Sequence, residues 1–342
     1  MIKINADSKI YILCPADIVT GGTELAHQLV DCLIKKGKSA FIVYVKDNHY
    51  AVSEVPKTFR KYSIKMSERP VDKSENVLVC PETEFTFVHT LKKIQCMFWW
   101  MSVDNFYLDS TLYNQLRFFG FYITLRNVYA RFIRHQQLIG TSRLGKLKKI
   151  KNEYLHLYQS EYARNFLLSK NITKLMPLSD YINSEFIKNS FSQLSIKENI
   201  ILYNPRKGLN VTNKIIAQMP EYKFIPLSGL NRIDLQKHFS KAKLYIDFGN
   251  HPGKDRMPRE AAMNYCCIVI GKDGAAKHFE DVPIADKYKF EKNEITSIVS
   301  TIKDILDNYQ THIDAFTHYR EKIMKEKEVF ENEVDTIFFT DY

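Results

Sequence analysis

The sequence predicts an α/β protein with two doubly wound domains, and three observations support this fold class. The chain has 342 residues, and domains of roughly 100–200 residues make two the expected number. Short apolar runs alternate with amphipathic helical patterns, as in proteins with parallel sheets. The alternation stops near residues 177–195 and then restarts. We therefore expect domains at 1–180 and 196–310, with a helix in 311–342 that packs back toward the first domain.

The first domain is predicted to begin with a strand at 8–15, a short apolar run that ends at a proline. A helix follows to about Lys36, because its apolar residues recur every four positions, and Gly37 is its expected end. Further strands are predicted at 39–45, 76–81, 94–102 and 153–159, with a helix at 160–170.

The second domain repeats this alternation. Strands are predicted at 198–204, 222–227, 243–248 and 266–271, and helices near 210–218, 231–241, 258–265, 292–309 and 311–335. Ligands of such folds bind at the carboxyl ends of strands. The loops that follow strands are therefore the places to look for functional residues.

Composition indicates a cytoplasmic protein. Five of the six cysteines lie in or beside apolar runs and none has zinc-ligand spacing, which predicts buried, reduced thiols. The N-terminus lacks the pattern of a signal peptide. No apolar stretch reaches the roughly 18 residues of a membrane span.

The positive net charge of +10 is concentrated in residues 117–151, which contain nine Lys or Arg and no acidic residue. Apolar residues interleave with these cations at helical spacing. This pattern fits a peripheral contact with anionic membrane, or a helix whose apolar face lies in the core. A nucleic-acid surface is the other alternative, but no nucleic-acid motif accompanies it, so we expect no nucleic-acid partner. The interleaved apolar residues are Phe118, Phe121, Tyr122, Leu125, Tyr129, Phe132 and Ile133.

A glycine pair follows the first predicted strand. Gly21 and Gly22 let a ligand approach the backbone, and the helix that begins there offers free N–H groups to an anion. The alternative is a tight turn that needs a positive φ. No GxGxxG pattern is present, which argues against an ordinary dinucleotide site.

Two loops of the second domain carry cations. Arg206 and Lys207 precede Gly208 after a strand, where they can bind phosphate, although a solvated basic turn is the alternative. The loop from Asp247 contains His251, Gly253, Lys254, Asp255 and Arg256, and Pro258 is expected to start the next helix. Glu260 then falls in the first turn, where its carboxylate can accept hydrogen bonds from a ribose diol or merely complement the helix dipole.

The first domain offers candidates for the acceptor side at the end of the strand at 94–102. Ser102 and Asn105 can contact an acceptor. Asp104 can act as a general base on the acceptor hydroxyl if the reaction inverts the sugar, or simply cap the next element. Residues 81–83 are a weaker candidate. Trp99 and Trp100 are expected in the core, with stacking on a sugar as the alternative.

These features resemble bacterial GT-B glycosyltransferases, especially the retaining group 4-like families. The similar elements are Gly21-Gly22-Thr23-Glu24, Arg206-Lys207-Gly208, and Glu260, which matches the second Glu of an E-x7-E pattern. The resemblance implies two Rossmann-like domains that face a cleft, and binding of the donor diphosphate and ribose by the last two elements. Pro252 occupies the position of the first Glu. The segment HPGKDRMPREAA is more similar to lipopolysaccharide or capsule glycosyltransferases outside the main group.

The expected function is transfer of a sugar from a UDP-, GDP- or similar nucleotide-sugar to a saccharide or lipid-linked acceptor during synthesis of lipopolysaccharide, O-antigen or capsule. Besides the nucleotide-sugar we expect no cofactor and no metal, with Arg206, Lys207, Lys254 and Arg256 meeting the leaving charge. Two alternatives remain, a nucleic-acid-binding protein and a GT-B-like epimerase or hydrolase. Where the protein contacts a membrane, we expect a peripheral contact with the inner face of the cytoplasmic membrane.

Overall fold

The computed structural model describes residues 2–47, 49–106, 153–184, 186–187 and 196–340, with isolated positions between 112 and 129. The chain divides into two compact units. Unit 1 comprises Met1–Gln159, Ala163–Leu178 and Glu331–Tyr342, and unit 2 comprises Ser160–Tyr162 and Ser179–Phe330. Each unit contains one parallel sheet with helices, so the predicted α/β class with two Rossmann-like domains is confirmed.

Unit 1 is built on a seven-stranded sheet in the order β3-β2-β1-β4-β5-β6-β7. Only β3 runs antiparallel to its neighbour. Helix α1 (Gly21–Lys35) packs on β1 and β2, and α2 (Val103–Phe106) and α3 (Glu161–Ser169) follow later. The strands are β1 (Lys9–Pro15), β2 (Ser39–Lys46), β3 (His49–Tyr50), β4 (Val77–Pro81), β5 (Gln95–Trp100), β6 (Leu155–Tyr158) and β7 (Leu175–Pro177).

Unit 2 has a five-stranded parallel sheet in the order β12-β11-β10-β8-β9. Its strands are β8 (Glu198–Tyr203), β9 (Lys223–Pro226), β10 (Ala242–Asp247), β11 (Cys267–Gly271) and β12 (Lys289–Phe290). Its helices are α4 (Leu209–Gln218), α5 (Arg232–Lys241), α6 (Arg256–Met263), α7 (Ile295–Asp307) and α8 (Tyr309–Ile313), and α9 (Thr317–Phe338) ends the fold. Helix α7 buries an amphipathic face against α4 and β10.

Strands β3, β7 and β12 and helix α2 were not predicted. Two predicted helices of unit 2 also differ from the structure in ways that matter for the fold. Helix α6 begins at Arg256 rather than at Pro258, because Asp255 takes the N-cap position with extended backbone. Pro258 is tolerated at its third position, since N–H groups of the first turn have no intrahelical acceptor. The helix predicted at 311–335 is divided into α8 and α9 by a 3₁₀ turn at Asp314–Phe316. Gly37 does end α1, with a left-handed φ of 87°.

The core of each unit follows the apolar pattern of the strands. Trp99 and Trp100 are fully buried, as predicted, and their indole N–H groups donate to the Leu178 carbonyl and to His156. All six cysteines are buried and unpaired. No helix in the described part of the chain combines the length and apolarity that a membrane span needs.

The basic segment 117–151 lies almost entirely outside the described residues. Four of its apolar side chains are described, and all are exposed: Phe121 by 65%, Tyr122 by 86%, Leu125 by 55% and Tyr129 by 66%. For these four positions, the interpretation that the apolar face lies in the core is therefore wrong.

A buried ionic cluster in unit 2 fixes helix α6. The Arg259 guanidinium is 1% exposed, and its Nη1 and Nη2 donate to the two carboxylate oxygens of Asp180 at 3.0 and 2.6 Å. Nη1 also donates to Glu326 of α9 at 2.8 Å. The remaining donors bind the backbone carbonyls of Lys254 at 2.8 Å and Asp255 at 3.2 Å. Every N–H group of this arginine thus has an acceptor.

The charges in this ionic cluster compensate one another. Lys254 Nζ lies 3.4 Å from Asp180 and 3.3 Å from Glu326, so two cations face two carboxylates. Burial opposes the charge on Asp180, but the Arg259 and Lys254 charges outweigh it and hold the pKa of Asp180 at about 2. Such a cluster is stable only as a complete set, because removing one member leaves an unpaired charge in the interior.

Substituting Arg259 with Met therefore has a large predicted effect on stability. R259M leaves two buried carboxylates with one cation, and we expect unit 2 to lose about 3–5 kcal/mol. Urea or thermal unfolding, followed by a probe in unit 2, measures the loss. The matched control is R60M, which removes an exposed ion pair to Glu54 and should cost at most about 1 kcal/mol. Equal losses in both variants would contradict the role assigned to the buried ionic cluster.

Candidate functional site

The sheet of unit 2 has a topological switch point between β8 and β10. From β8 the chain passes to β9 on one side, and then to β10, β11 and β12 on the other. At such a point the connections diverge and leave a crevice at the carboxyl ends of the strands, where ligands of open α/β sheets bind. The predicted cationic loops are those that follow β8 and β10.

Glycines bring these two loops into contact. Gly208 has a left-handed φ of 65°, and a side chain there would overlap the backbone of Phe248 and Gly249. A side chain at Gly249 would overlap Cβ of Lys207. The φ and the contact both require glycine at 208. Arg206 and Lys207 are thereby held beside the start of the loop 248–255.

The loop after β11 joins the same group. A side chain at Gly274, whose φ is 51°, would overlap the carbonyl group of His251. The N–H of Ala275 donates to that carbonyl oxygen at 2.8 Å. Three loops at one edge of the sheet are therefore fixed to one another through backbone contacts.

Lys207 and His251 share one carboxylate within this group. Lys207 Nζ donates to both oxygens of Asp255, at 3.1 and 2.9 Å. His251 Nδ1 lies 2.9 Å from Oδ2 of the same carboxylate. Burial works against the charge on Asp255, but the hydrogen bond from His251 and the Lys207 charge outweigh it, so the pKa of Asp255 is lowered.

The charge state of His251 follows from its neighbours. Burial alone would lower the pKa of His251, but the hydrogen bond to Asp255 and the charges of Asp247 and Asp255 raise it above its ordinary value. Asp247 is itself held by the Tyr245 hydroxyl at 2.8 Å and by the Gly249 N–H at 2.9 Å. The charged form of His251 is therefore favoured.

Asp247, His251 and Asp255 place potential ligand atoms within 4.8 Å of one another, close enough to hold a metal ion together. Here the two carboxylates are already balanced by two cations, Lys207 and charged His251. We interpret the group as an ion-pair network and call it the His251 network. The absence of a metal stays a prediction.

The other predicted donor residues lie around these loops. Arg206 is exposed, and its backbone N–H donates to the Asn204 side chain at 3.0 Å. Arg256 is the first residue of α6 and is half-buried. Lys254 is paired with Asp180 and Glu326, which the sequence did not anticipate.

Glu260 is 7% exposed and lies in the second turn of α6, not in the first as predicted, because the helix starts two residues earlier. The alternative that it complements the helix dipole loses its basis, since the effect falls off beyond the first turn.

The glycine pair of unit 1 lies at the start of α1. Neither Gly21 nor Gly22 has a positive φ, so the interpretation of a left-handed turn is wrong. Thr20 is the N-cap instead, and its side chain accepts from Thr23 N while Thr23 Oγ1 accepts from Thr20 N. Gly21 and Gly22 follow this cap as the first residues of α1. Because they have no side chains, a ligand can approach the backbone there.

The acceptor-side candidates lie just after β5. The Asn105 N–H donates to Ser102 Oγ at 3.4 Å, so Ser102 caps α2 and Asp104 is a half-buried residue of its first turn. The capping role considered for Asp104 thus belongs to Ser102. Met101 N donates to the buried Glu82 carboxylate at 3.0 Å, which joins the loops after β4 and β5.

A cavity of about 720 Å³ in unit 2 lies elsewhere. Its lining includes Lys197, Lys243 and Tyr265, which stand at the amino ends of β8, β10 and β11. It is therefore at the opposite edge of the sheet from the loops described above. We place the candidate site at the carboxyl edge.

Sequence reasoning missed the residues that support the site. Arg259, Asp180 and Glu326 are far apart in sequence, and only the fold brings them together. His251 and Asp255 were recognised as loop residues without a role. Their spacing of four residues was a local signal, but the pairing with Lys207 was not visible.

No protein-family model matches the sequence, and no curated protein sequence matches it. Solved structures do match. Sucrose-phosphate synthase from Thermosynechococcus elongatus superposes with a TM-score of 0.63 and 10% identity, over 97% of this chain and 98% of that one. HepE from Anabaena, in complex with UDP and glucose, gives 0.62 and 9%, over 96% and 99%.

WaaG, a glycosyltransferase involved in lipopolysaccharide biosynthesis, gives a TM-score of 0.56 and 10% identity, over 97% of this chain and 100% of that one. The chain spans only 56% of the length of TarM, another match. Identities this low establish the fold and not the substrates. The fold implied by the sequence resemblance is confirmed: the chain has the GT-B fold of these glycosyltransferases.

Proposed function

We propose that this protein is a glycosyltransferase that moves a sugar from a nucleotide-sugar to a saccharide or lipid-linked saccharide. The observation that carries the proposal is the contact of the loops after β8 and β10 at the switch point of unit 2. It gathers Arg206, Lys207 and the N-terminus of α6 at one edge of the sheet. Positive groups that converge at a switch point suit a diphosphate.

The donor is bound chiefly by charge in this proposal. Arg206 offers an exposed planar fork for a phosphate, and Lys207 adds a point charge. Arg256 and the positive end of the α6 dipole extend the positive field. Glu260 accepts hydrogen bonds from the ribose diol. Lys254 contributes to the field from within the buried ionic cluster rather than by contact.

UDP-sugars are the first donors to test. HepE was solved with UDP and with UDP-glucose, and its fold matches nearly the whole of this chain. The leaving diphosphate is stabilised by side chains and helix dipoles, without a metal, in this proposal.

Unit 1 supplies the acceptor side. Ser102 and Asn105 contact the acceptor, and Asp104 takes the proton from its hydroxyl as a general base. Gly21 and Gly22 let a ligand approach the start of α1. The pathway we propose is synthesis of lipopolysaccharide, O-antigen or capsule, which the match to WaaG supports at the level of fold.

Two substitutions test the donor site. R206A and E260Q remove a charged hydrogen-bonding partner each, which is worth about 1.5–3 kcal/mol, so we expect the Kd for UDP-glucose to rise roughly 10- to 150-fold. Isothermal titration calorimetry measures the Kd, and sugar transfer to an acceptor panel measures the activity. R60A, which changes an exposed arginine of unit 1, is the control.

Full activity in both donor-site variants would refute these assignments. Failure of a panel of nucleoside diphosphates and nucleotide-sugars to stabilise the native protein would refute the function itself. Release of free sugar, or a new epimer, from UDP-glucose alone would favour a hydrolase or epimerase instead.

Exposed apolar residues support the membrane contact of the basic segment. We expect binding to vesicles with anionic lipid, little binding to neutral vesicles, and weakening by salt. The double variant F121S/Y122S should bind severalfold more weakly, because it removes two exposed apolar side chains. Co-sedimentation measures the binding, and V52S, at a position 92% exposed in unit 1, is the control. Binding to single-stranded oligonucleotides but not to vesicles would favour the nucleic-acid alternative.

A further inference from the structure

Lys207 is held by Asp255 in this structure. Both oxygens of the carboxylate accept from Nζ, and about a third of the lysine side chain is exposed. A diphosphate that binds Lys207 must therefore compete with Asp255 for the same ammonium group. The strength of this competition depends on what else balances the charge of Asp255.

His251 provides that balance. Its Nδ1 contacts Asp255 Oδ2 at 2.9 Å, on the carboxylate that also holds Lys207. The His251 side chain is 2% exposed, and Nε2 has no hydrogen-bond partner among the described residues. His251 is thus placed to act on Asp255 and not on a ligand at the surface.

Among the described residues, three charged groups act on His251. They are Asp255 at the start of α6, Asp247 at the end of β10 and Lys207 in the loop after β8. Asp273 in the loop after β11 is paired with Lys292 at 2.7 Å. With His251 neutral, the two facing carboxylates and one lysine leave a net charge of −1. With His251 charged, the sum is zero.

We propose that His251 is a positioning residue of the donor site: its charged imidazole ring compensates Asp255 and so frees Lys207 to bind the donor diphosphate. The inference rests on the proposed function and deepens it. In this inference, the affinity for the donor depends on His251 and Asp255 of the HPGKDR segment as well as on Arg206 and Lys207.

The direction of the pH effect follows. The pKa of His251 is raised by Asp255 and Asp247 against the effect of burial, so the charged form is present below this raised pKa and is lost as pH rises through it. Loss of the charge leaves Lys207 held by Asp255 and makes the site more negative. Donor affinity should therefore be highest at low pH and fall as the pH rises.

The experiment measures the Kd of UDP-glucose by calorimetry between about pH 5.5 and about pH 8.5, around the range in which histidine titrates. The diphosphate of UDP-glucose is a diester and keeps its charge over this range, so the protein alone titrates. For the native protein we expect affinity to fall roughly tenfold or more across the range, with a limit of tenfold per pH unit for one proton.

H251N is the decisive variant, because its amide can still donate to Asp255 but carries no charge. Its affinity should be weak and nearly independent of pH. D255N should bind UDP-glucose tightly at every pH, since Lys207 is then free. The matched control is H238N, at the end of α5, which should keep the native pH dependence.

Three results would overturn the inference. The first is a native pH dependence in H251N, which by itself decides the matter if D255N does not fold. The second is tightening of UDP-glucose binding by Mn²⁺ or Zn²⁺ in the native protein but not in H251N, since the His251 network would then be a metal site. The third is absence of UDP-glucose binding at every pH, which would refute the proposed donor as well.

Discussion

The guanidinium of Arg259 is the constraint on which the candidate site of unit 2 depends. It binds Asp180 and Glu326 through their carboxylates, and Lys254 and Asp255 through their carbonyl oxygens. A single buried group therefore connects α6, the loop before it, the segment around residue 180 and helix α9. Because no N–H of the guanidinium is left over, none of these elements can shift without breaking a charged hydrogen bond in the interior.

The site is built outward from this anchor. Arg259 fixes the backbone of Asp255, and the side chain of Asp255 then holds Lys207 and His251. The backbone of His251 is fixed in turn by Ala275, while Gly208 allows the Lys207 loop to lie against Phe248. The cations that we assign to the diphosphate thus project from a frame that ion pairs and backbone contacts hold in place. Such preorganisation is what electrostatic stabilisation of a leaving group requires.

The sequence predicted what depends on local pattern and missed what depends on distant pairing. Most strands and helices followed from apolar periodicity. The elements that were not predicted are short: β3, β7 and β12 have two or three residues each, and α2 has four. The start of α6 was misplaced because Pro258 is a stronger local signal than Asp255. Gly21 and Gly22 were correctly placed at the start of α1, but the turn chemistry belongs to Thr20. Asp180 was assigned to a break between domains, and nothing local indicates that it pairs with an arginine 79 positions later.

The two groups of charges differ in a way that bears on function. Arg259 carries its charge at every accessible pH, and its partners are sealed from solvent, so the buried ionic cluster behaves as a fixed part of the fold. In the His251 network one member is a histidine, whose pKa is raised against the effect of burial by Asp255 and Asp247. Another, Lys207, reaches the surface. The charge of the His251 network can change without unfolding α6, because Arg259 holds the helix through a separate set of hydrogen bonds. In our proposal, the buried ionic cluster keeps the geometry of the loop constant while the charge on His251 changes its affinity for the donor.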